Sequence, residues 1–312
     1  MSKIAFVFPG QGAQYIGMAK EISEISKAAG KVLDDATEAL GFDIRNLLFE
    51  SDEETLMITE NTQPAILAAS IACTQPLIEA GIRADFTGGL SLGEYAAHVI
   101  SGSIDFKDAV RLVRKRGKYM QEAVPLGEGS MAAVLGLSRE DVIETCKMAS
   151  EKGVVEPANF NCPGQIVIAG KVEAVNEAIK IATEKGAKRA MLLNVSAPFH
   201  CSLLKPAGEK LSRELENIVI DKMSIPVVTN VTGKIIESET EIKDLLVRQV
   251  SSSVLWEDCV RTLIENGADT FIEIGPGKVL SGFIKKIDKG VRVLNVEDKA
   301  SLDNTLAVLK GQ

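Results

Sequence analysis

The chain has 312 residues, enough for one large or two modest domains, and its 46% hydrophobic content is typical of a protein that folds throughout. With 35 Lys and Arg against 43 Asp and Glu, the formal charge of −8 argues against a surface built throughout for nucleic acid. Five widely spaced cysteines without a CxxC pair indicate neither a disulfide framework nor a zinc site. No signal peptide and no membrane span are expected.

The first third of the chain mixes strands and helices. Residues 3–8 form an apolar run that predicts a buried strand, stopped by Pro9-Gly10. Helices are predicted over 18–40, 64–80, 93–100 and 106–123, with a strand near 86–89 before the third. A buried first strand that leads into helices favours an α/β fold.

Residues 127–195 form a pattern of their own. Their predicted order is strand 131–137, helix 139–152, strands 154–159 and 165–169, helix 172–185 and strand 189–195. This β-α-β-β-α-β order is ferredoxin-like. We therefore predict an inserted small domain, 127–196, within a discontinuous large α/β domain, 1–126 and 197–312. The large domain continues with helices 203–215, 241–249 and 256–266 and with strands 226–230, 270–274 and 292–296.

The pentapeptide Gly89-Leu90-Ser91-Leu92-Gly93 matches G-x-S-x-G between a predicted strand and a predicted helix. Glycines on both sides allow a sharp turn from which the Ser91 hydroxyl projects, and the helix N-terminus offers N–H groups to an oxyanion. Ser91 is thus a candidate nucleophile. The alternative is a glycine-rich turn in which the serine has no role.

A serine nucleophile needs a base, and the chain has two histidines. His98 lies seven residues after Ser91, about two helical turns away, which favours a packed or surface position on the helix. His200 follows a predicted strand in a loop at the domain edge, where a side chain can face a cleft. His200 is the leading base if Ser91 is activated, and a structural residue otherwise.

A glycine-rich loop, FPGQGAQ at 8–14, follows the first strand. It lacks both the Lys-Ser or Lys-Thr of a P-loop and the G-x-G-x-x-G spacing of a dinucleotide site. The loop could bring the backbone N–H of Gln11 to the serine as an oxyanion donor. A tight turn without such a role fits the spacing equally well.

A basic run at 111–118 stands out in this acidic chain. Helical spacing places Arg111, Arg114, Lys115 and Lys118 toward solvent and Arg116 on the opposite, apolar side. An inward arginine needs an anionic partner. A substrate carboxylate and a buried salt bridge remain open as that partner.

Six motifs in order resemble the malonyl-CoA:acyl carrier protein transacylases of fatty acid synthesis, which are similar to acyltransferase domains of polyketide synthases. They are FPGQGAQ (8–14), GLSLGEYAA (89–97), RGKYMQ (116–121), NFNCPGQIVIAG (159–170), APFH (197–200) and EIGPGKVL (273–280). The resemblance implies an α/β-hydrolase-like large domain with an inserted ferredoxin-like domain.

The resemblance also implies catalytic roles. Ser91 would carry the acyl group as an ester, and His200 would act as base and then as acid. The backbone N–H groups of Gln11 and Leu92 would form the oxyanion hole. The backbone carbonyl of Gln249 would orient the histidine, so no third acid is nominated.

Two further positions in the resemblance bear on substrate choice, and a third departs from the family. Arg116 would hold the free malonyl carboxylate. Phe199, an aromatic residue directly before the histidine, accompanies malonyl use, since a branched methylmalonyl group needs more room. Leu90 departs from the family, because many members have histidine before the serine.

The expected activity is ping-pong transfer of malonyl from malonyl-CoA to the pantetheine thiol of acyl carrier protein, through a malonyl-Ser91 ester. We expect no cofactor beyond the CoA thioester substrate, no metal, no nucleic-acid or membrane partner, a monomer and a cytoplasmic location. Alternatives are a stand-alone polyketide-type acyltransferase, a serine thioesterase or esterase and a non-catalytic carrier-binding module. An acidic carrier could dock on local basic residues, namely Arg114, Lys115, Lys118, Lys188 or Arg189.

Overall fold

The structure is a computed structural model that describes residues 2–195 and 197–311. Within that part of the chain the strands are β1 (Lys3–Phe8), β2 (Phe86–Gly89), β3 (Gly129–Leu135), β4 (Val155–Cys162), β5 (Gln165–Lys171), β6 (Arg189–Leu192), β7 (Ala268–Ile274) and β8 (Arg292–Val296). The helices are α1 (Lys20–Ile25), α2 (Lys27–Leu40), α3 (Ile44–Phe49), α4 (Glu53–Met57), α5 (Thr59–Glu79), α6 (Gly93–Ser101), α7 (Phe106–Glu122), α8 (Arg139–Ala149), α9 (Val172–Glu184), α10 (Lys205–Glu216), α11 (Ile242–Val250), α12 (Trp256–Glu265), α13 (Val279–Ile287) and α14 (Lys299–Lys310).

A parallel sheet of order β2-β1-β7-β8 forms the centre of the larger part of the molecule. The last four residues of β1 and all four of β2 are buried, as expected for strands covered on both faces. Ligands of parallel sheets bind beyond the carboxyl ends of the strands. At that edge lie the turns that follow β1, β2 and β7.

A second sheet, of order β4-β5-β3-β6, is antiparallel. Its elements follow one another as β3-α8-β4-β5-α9-β6, the order predicted from the sequence. The helices pack on the sheet through small and branched side chains, including Val134, Ile168, Val142 and Ala178. Residue 196, the predicted end of the inserted domain, lies outside the described residues.

The two sheets are joined by the segment after α11. Val254 accepts from the N–H of Phe160 at 2.9 Å and donates to the carbonyl of Ala158 at 2.8 Å, which binds this segment to β4. Arg139 on α8 makes two hydrogen bonds, of 3.0 and 2.8 Å, to the carboxylate of Asp258 on α12. These contacts fix the segment that follows α11 between the two sheets.

Several predicted elements need correction. The helix predicted over 18–40 is broken at Ser26, whose hydroxyl accepts from the N–H of Ala29 and caps α2. The strand predicted over 226–230 makes only isolated bridges, because the chain turns back at 229–233, where Gly233 donates to the carbonyl of Thr229. The helix predicted over 139–152 ends at Ala149. Helices α3, α4, α13 and α14 were not predicted.

Among the described residues, no helix combines the length and the apolar character needed to cross a membrane.

Candidate active site

Ser91 sits on a sharp turn between β2 and α6. Its φ is 54°, a left-handed value that non-glycine residues rarely adopt. A Cβ on Gly89 would lie 2.0 Å from the carbonyl carbon of Gly93, and a Cβ on Gly93 would lie 2.1 Å from the carbonyl oxygen of Phe8. Both glycines of G-x-S-x-G are therefore required by close backbone packing, and the turn presents the serine hydroxyl beyond the sheet edge.

The Ser91 hydroxyl contacts His200. Its Oγ lies 2.7 Å from Nε2 of His200, and Nδ1 of the same ring lies 2.9 Å from the backbone carbonyl of Gln249. Because a carbonyl only accepts, Nδ1 carries the hydrogen and Nε2 is left as an acceptor for the serine proton. Burial, and then the positive charge of Arg116, lower the pKa of His200 to about 3, so the ring is neutral at physiological pH.

Arg116 completes this group from α7. Its side chain is 1% exposed. Nη2 donates to Ser91 Oγ at 3.1 Å and to Gln249 Oε1 at 3.0 Å, and Nη1 donates to Gln63 Oε1 at 2.8 Å. The guanidinium carbon lies 5.3 Å from the centre of the Tyr95 ring. Burial lowers the pKa of Arg116 from its usual value.

The neighbouring basic residues differ from Arg116. Arg111, Arg114, Lys115 and Lys118 are more exposed, and each pairs with a surface carboxylate. In the described part of the chain no carboxylate lies within 4.0 Å of the Arg116 guanidinium. The salt bridge that the sequence left open as its partner is therefore not observed there.

Two polar residues that sequence reasoning missed support the site from below. Asn230 Oδ1 accepts from the N–H of Ser91 at 2.6 Å, and Asn230 Nδ2 donates to the carbonyl of Gly89 at 2.8 Å. Glu94 Oε2 accepts from the N–H of Asn230 at 3.0 Å and from Nε2 of Gln249 at 2.7 Å. A charged residue on an otherwise apolar helix was the signal for Glu94, whereas Asn230 gave none.

A cavity of about 1000 Å³ opens onto Ser91. Of the residues that the resemblance placed at the site, all but one line the cavity: Gln11, Leu90, Ser91, Leu92, Arg116, Phe199 and His200. The exception is Gln249, which hydrogen-bonds to Arg116 and His200. Gln11 and Leu92, the expected oxyanion donors, thus lie at the cavity that contains the hydroxyl. Met120, Met131 and Val167 add apolar walls.

His98 takes no part in this arrangement. It is fully buried in α6, and its Nδ1 lies 2.9 Å from Oγ of Ser103. Burial lowers its pKa to about 3. Its spacing from Ser91 predicted a packed or a surface position on the helix, and the structure shows the packed one.

An α/β protein with a buried serine–histidine pair beside a buried guanidinium has the groups that an acyl-transfer enzyme needs. The model of the acyl transferase domain family matches residues 5–303, and the chain belongs to that family. The similar proteins include malonyl CoA-acyl carrier protein transacylases, as the sequence motifs predicted. The chain is thereby an acyltransferase, and the resemblance inferred from its motifs is confirmed.

The similarity extends over nearly the whole chain. The malonyl CoA-acyl carrier protein transacylase of Bacillus subtilis is 48% identical over 311 residues, which is 99% of this chain and 98% of that one. The crystal structure of the Clostridium perfringens transacylase matches with a TM-score of 0.97 and 49% identity, covering 99% of this chain and 98% of that one. A malonyl-transacylase solved in complex with its type II PKS acyl-carrier protein matches with a TM-score of 0.96 and 44% identity, covering 98% of this chain and 100% of that one.

Proposed function

We propose that the chain transfers the malonyl group of malonyl-CoA to the pantetheine thiol of acyl carrier protein, in fatty acid biosynthesis. One observation carries the proposal: the Ser91–His200 pair and the Arg116 guanidinium meet at one hydroxyl, at 2.7 and 3.1 Å. A nucleophile and a carboxylate binder at such close range suit a short acyl group that ends in a carboxylate. The names of the relatives support the same activity.

In the first half-reaction, Ser91 Oγ attacks the thioester carbonyl of malonyl-CoA while its proton passes to Nε2 of His200. The N–H groups of Gln11 and Leu92 stabilise the oxyanion. The C–S bond then breaks, and the imidazolium returns its proton to the CoA thiolate. The product is a malonyl-Ser91 ester and free CoA.

In the second half-reaction, the carrier thiol gives its proton to His200 and its sulfur attacks the ester carbonyl. The C–O bond to Ser91 breaks, Oγ regains the proton, and malonyl leaves as a thioester of the carrier. His200 begins both steps neutral, and the Gln249 carbonyl stabilises the imidazolium that forms in each.

Selectivity follows from what lies around the ester. Malonyl has only a CH₂ group between its reacting carbonyl and its free carboxylate. Because Arg116 Nη2 already reaches Ser91 Oγ, the guanidinium is placed for an acid of this length and can bind it with two hydrogen bonds. Phe199, 8% exposed in the cavity wall, would oppose a methyl branch at that CH₂.

For the architecture we propose an α/β-hydrolase-like large domain, 1–126 and 197–312, with a ferredoxin-like domain, 127–196, inserted in it. The strand orders β2-β1-β7-β8 and β4-β5-β3-β6 support this division. A cytoplasmic monomer without a cofactor remains our expectation.

For carrier docking, the basic residues nominated from the sequence separate into two groups. Arg114, Lys115 and Lys118 each pair with a glutamate, whereas Lys188 and Arg189 make no ion pair with the described residues. Lys188 and Arg189 are therefore the better candidates for an acidic carrier.

A polyketide role is a second candidate, because one matching structure holds a type II PKS acyl-carrier protein. Both roles use the same chemistry and differ in the carrier. Comparing kcat/KM with a fatty acid carrier and a polyketide carrier separates them. In a thioesterase, water would hydrolyse the malonyl-enzyme. Here the malonyl-enzyme should persist in water and should discharge when a pantetheine thiol is added.

The central test is intact-mass analysis after incubation with malonyl-CoA. We expect one malonyl increment on the wild-type chain and none on Ser91→Ala, because the ester needs the Oγ. His98→Gln, altered at a histidine outside the site, serves as the matched control and should still be labelled. An undiminished increment on Ser91→Ala would falsify the assignment.

A further inference from the structure

The mechanism leaves one buried charge unexplained. Glu94 is fully buried, one helical turn below the site, with Oε2 bonded to the N–H of Asn230 and to the side chain of Gln249. Its Oε1 has no hydrogen-bond partner among the described residues. A buried carboxylate with one unsatisfied oxygen is costly unless another group compensates it.

The nearest compensation is Arg116. The side-chain amide of Gln249 connects the two: its Nε2 donates to Glu94 Oε2 at 2.7 Å, and its Oε1 accepts from Arg116 Nη2 at 3.0 Å. Arg116 has no carboxylate in direct contact within the described structure, and Glu94 is the carboxylate whose charge acts on it. Both side chains are buried, and charges in such surroundings interact more strongly than at the surface.

We propose that Glu94 is the counter-charge of Arg116 in the empty site, and that its carboxylate takes up one proton when a carboxylated acyl group binds Arg116. This rests on the proposed function, since it assumes that Arg116 binds the malonyl carboxylate. In the empty site, the charges of Glu94 and Arg116 sum to zero. With the malonyl carboxylate the sum would be −1, and a proton from solvent on Glu94 restores zero.

The hydrogen bonds allow this proton without rearrangement. Oε2 still accepts from Asn230 and Gln249 when the acid is neutral, so the supports of Ser91 and His200 stay in place. The unsatisfied Oε1 would carry the proton. The Thr229 hydroxyl lies near this carboxylate, where it opposes the rise in the pKa of Glu94, and its oxygen can accept the hydrogen once the acid is neutral.

No other group around Glu94 is suited to take this proton. Burial raises the pKa of Glu94 to about 7, against the opposing effects of its hydrogen bonds and of Arg116. On the same helix, the pKa of Tyr95 is raised to about 12 and that of His98 is lowered to about 3. The pKa of Cys259 on α12 is raised well above its usual value, and that of His200 in the empty site is lowered to about 3.

The other main elements against α6 are α7, β2, β1 and α5. On α7, Arg116 is the only charged residue that is buried. β2 contains no charged residue, and β1 contains only Lys3, which binds the carbonyl of Asn266 at the far end of the strand. In α5 the charged residues are Glu60 and Glu79, near the helix ends. Glu94 is therefore the group that can titrate near neutral pH.

These charges determine how the binding of malonyl-CoA depends on pH. A bound malonyl carboxylate removes the effect of Arg116 and adds a negative charge, so it raises the pKa of Glu94 further. Between the empty-site and bound pKa values, binding consumes a proton, and the Kd for malonyl-CoA should rise up to about tenfold per pH unit. Acetyl-CoA, which has no free carboxylate, should show no such dependence.

The test uses Ser91→Ala, which binds acyl-CoA without acylation. Calorimetric titration in buffers of different ionisation enthalpy gives the protons taken up with malonyl-CoA and with acetyl-CoA, whose CoA parts are identical. The difference should approach one proton at about pH 8 and fall toward zero at about pH 6, where Glu94 is already protonated. Equal uptake for both ligands at both pH values would overturn the proposal.

Two further variants assign the proton. In the Ser91→Ala background, Glu94→Gln should abolish the difference in proton uptake between malonyl-CoA and acetyl-CoA and make malonyl-CoA binding independent of pH. If Glu94 were only structural, the change would weaken binding of both ligands and leave that difference intact. Glu273→Gln, at another fully buried glutamate, is the matched control and should retain it. Should Glu94→Gln fail to fold, the infrared difference spectrum of Ser91→Ala decides: a protonated-carboxyl band must appear with malonyl-CoA and not with acetyl-CoA.

Failure of this proposal is distinguishable from failure of the proposed function. If Arg116→Ala removes the preference for malonyl-CoA while no proton uptake is seen, Arg116 binds the carboxylate and Glu94 is only structural. If Ser91→Ala binds malonyl-CoA no better than acetyl-CoA at about pH 6, the carboxylate site itself is wrong.

Discussion

Two strand–turn–helix units lie at the same edge of the parallel sheet, on either side of β1. In one, β2 leads through Ser91 into α6; in the other, β7 leads through Gly275-Pro276-Gly277 into α13. Both turns are rich in glycine, both contain a residue at positive φ, and each unit holds a fully buried glutamate. In spite of these shared features, only the first unit contributes a nucleophile to the cavity.

The difference lies in where the polar groups find partners. Glu273 binds the N–H groups of Leu280 and Ser281 at 3.0 and 2.6 Å, so it caps the helix of its own unit. Glu94 binds Asn230 and Gln249, more than 130 residues away along the chain. A turn whose groups are satisfied locally is a structural joint, whereas one held by distant segments can place a reactive group against side chains from elsewhere.

The largest effect should come from removing the distant base of the first unit. His200→Ala should lower the rate of acylation by malonyl-CoA by about 10²- to 10⁴-fold, because Ser91 loses its proton acceptor. Stopped-flow measurement of CoA release checks this. His98→Gln should leave the rate within a few-fold of wild type; a similar loss in both variants would mean that the rate depends on packing of α6 and not on the base.

The next effect concerns selectivity. Arg116→Ala should lower the ratio of malonyl to acetyl transfer by about 10- to 100-fold, the range for hydrogen bonds to a charged group. The measurement is kcat/KM for both donors with one carrier protein. Exposed Lys115→Ala, on the same helix, is the control and should keep the ratio. Equal losses for both donors in Arg116→Ala would contradict the carboxylate-binding role.

The two units also show which parts of the fold and of the site could be predicted from the sequence. The Ser91 turn and the inward face of Arg116 depend on local spacing, so G-x-S-x-G and helical periodicity identified them. His200 was the leading base because of its loop position, given an activated serine, and the family resemblance implied the same role. Gln249 came from the resemblance alone. Asn230 was placed in a strand, because an apolar run predicts extended structure but not that the chain turns back at 229–233. Glu94 was missed because its partners lie far away in sequence.

In the second unit, the prediction is a loss of stability without a loss of chemistry. Glu273→Ala leaves two buried N–H groups without acceptors, at about 2 kcal/mol each, so the free energy of unfolding should fall by about 4 kcal/mol. Denaturant titration measures this. Malonyl transfer by the folded fraction should be unchanged at low temperature; a large fall in kcat there would show that the second unit also supports the site.

The last effect compares the two buried glutamates through pH. The pKa of Glu94 is raised from 4.5 to about 7, so the folded state binds its proton more tightly than the unfolded state does. The associated stability is present below the unfolded pKa and is lost as pH rises to about 7, by up to about 3 kcal/mol.

Denaturant midpoints between about pH 5 and pH 8 should therefore fall in the wild type, and the fall should shrink in Glu94→Gln, which cannot ionise. Burial raises the pKa of Glu273 as well, but its two helix N–H donors favour the charged form, so Glu273→Gln should keep most of the fall. If Glu273→Gln removed the fall in the denaturant midpoint instead, the group that titrates would be Glu273 at the N-terminus of α13. Glu94 would then no longer distinguish the first unit from the second.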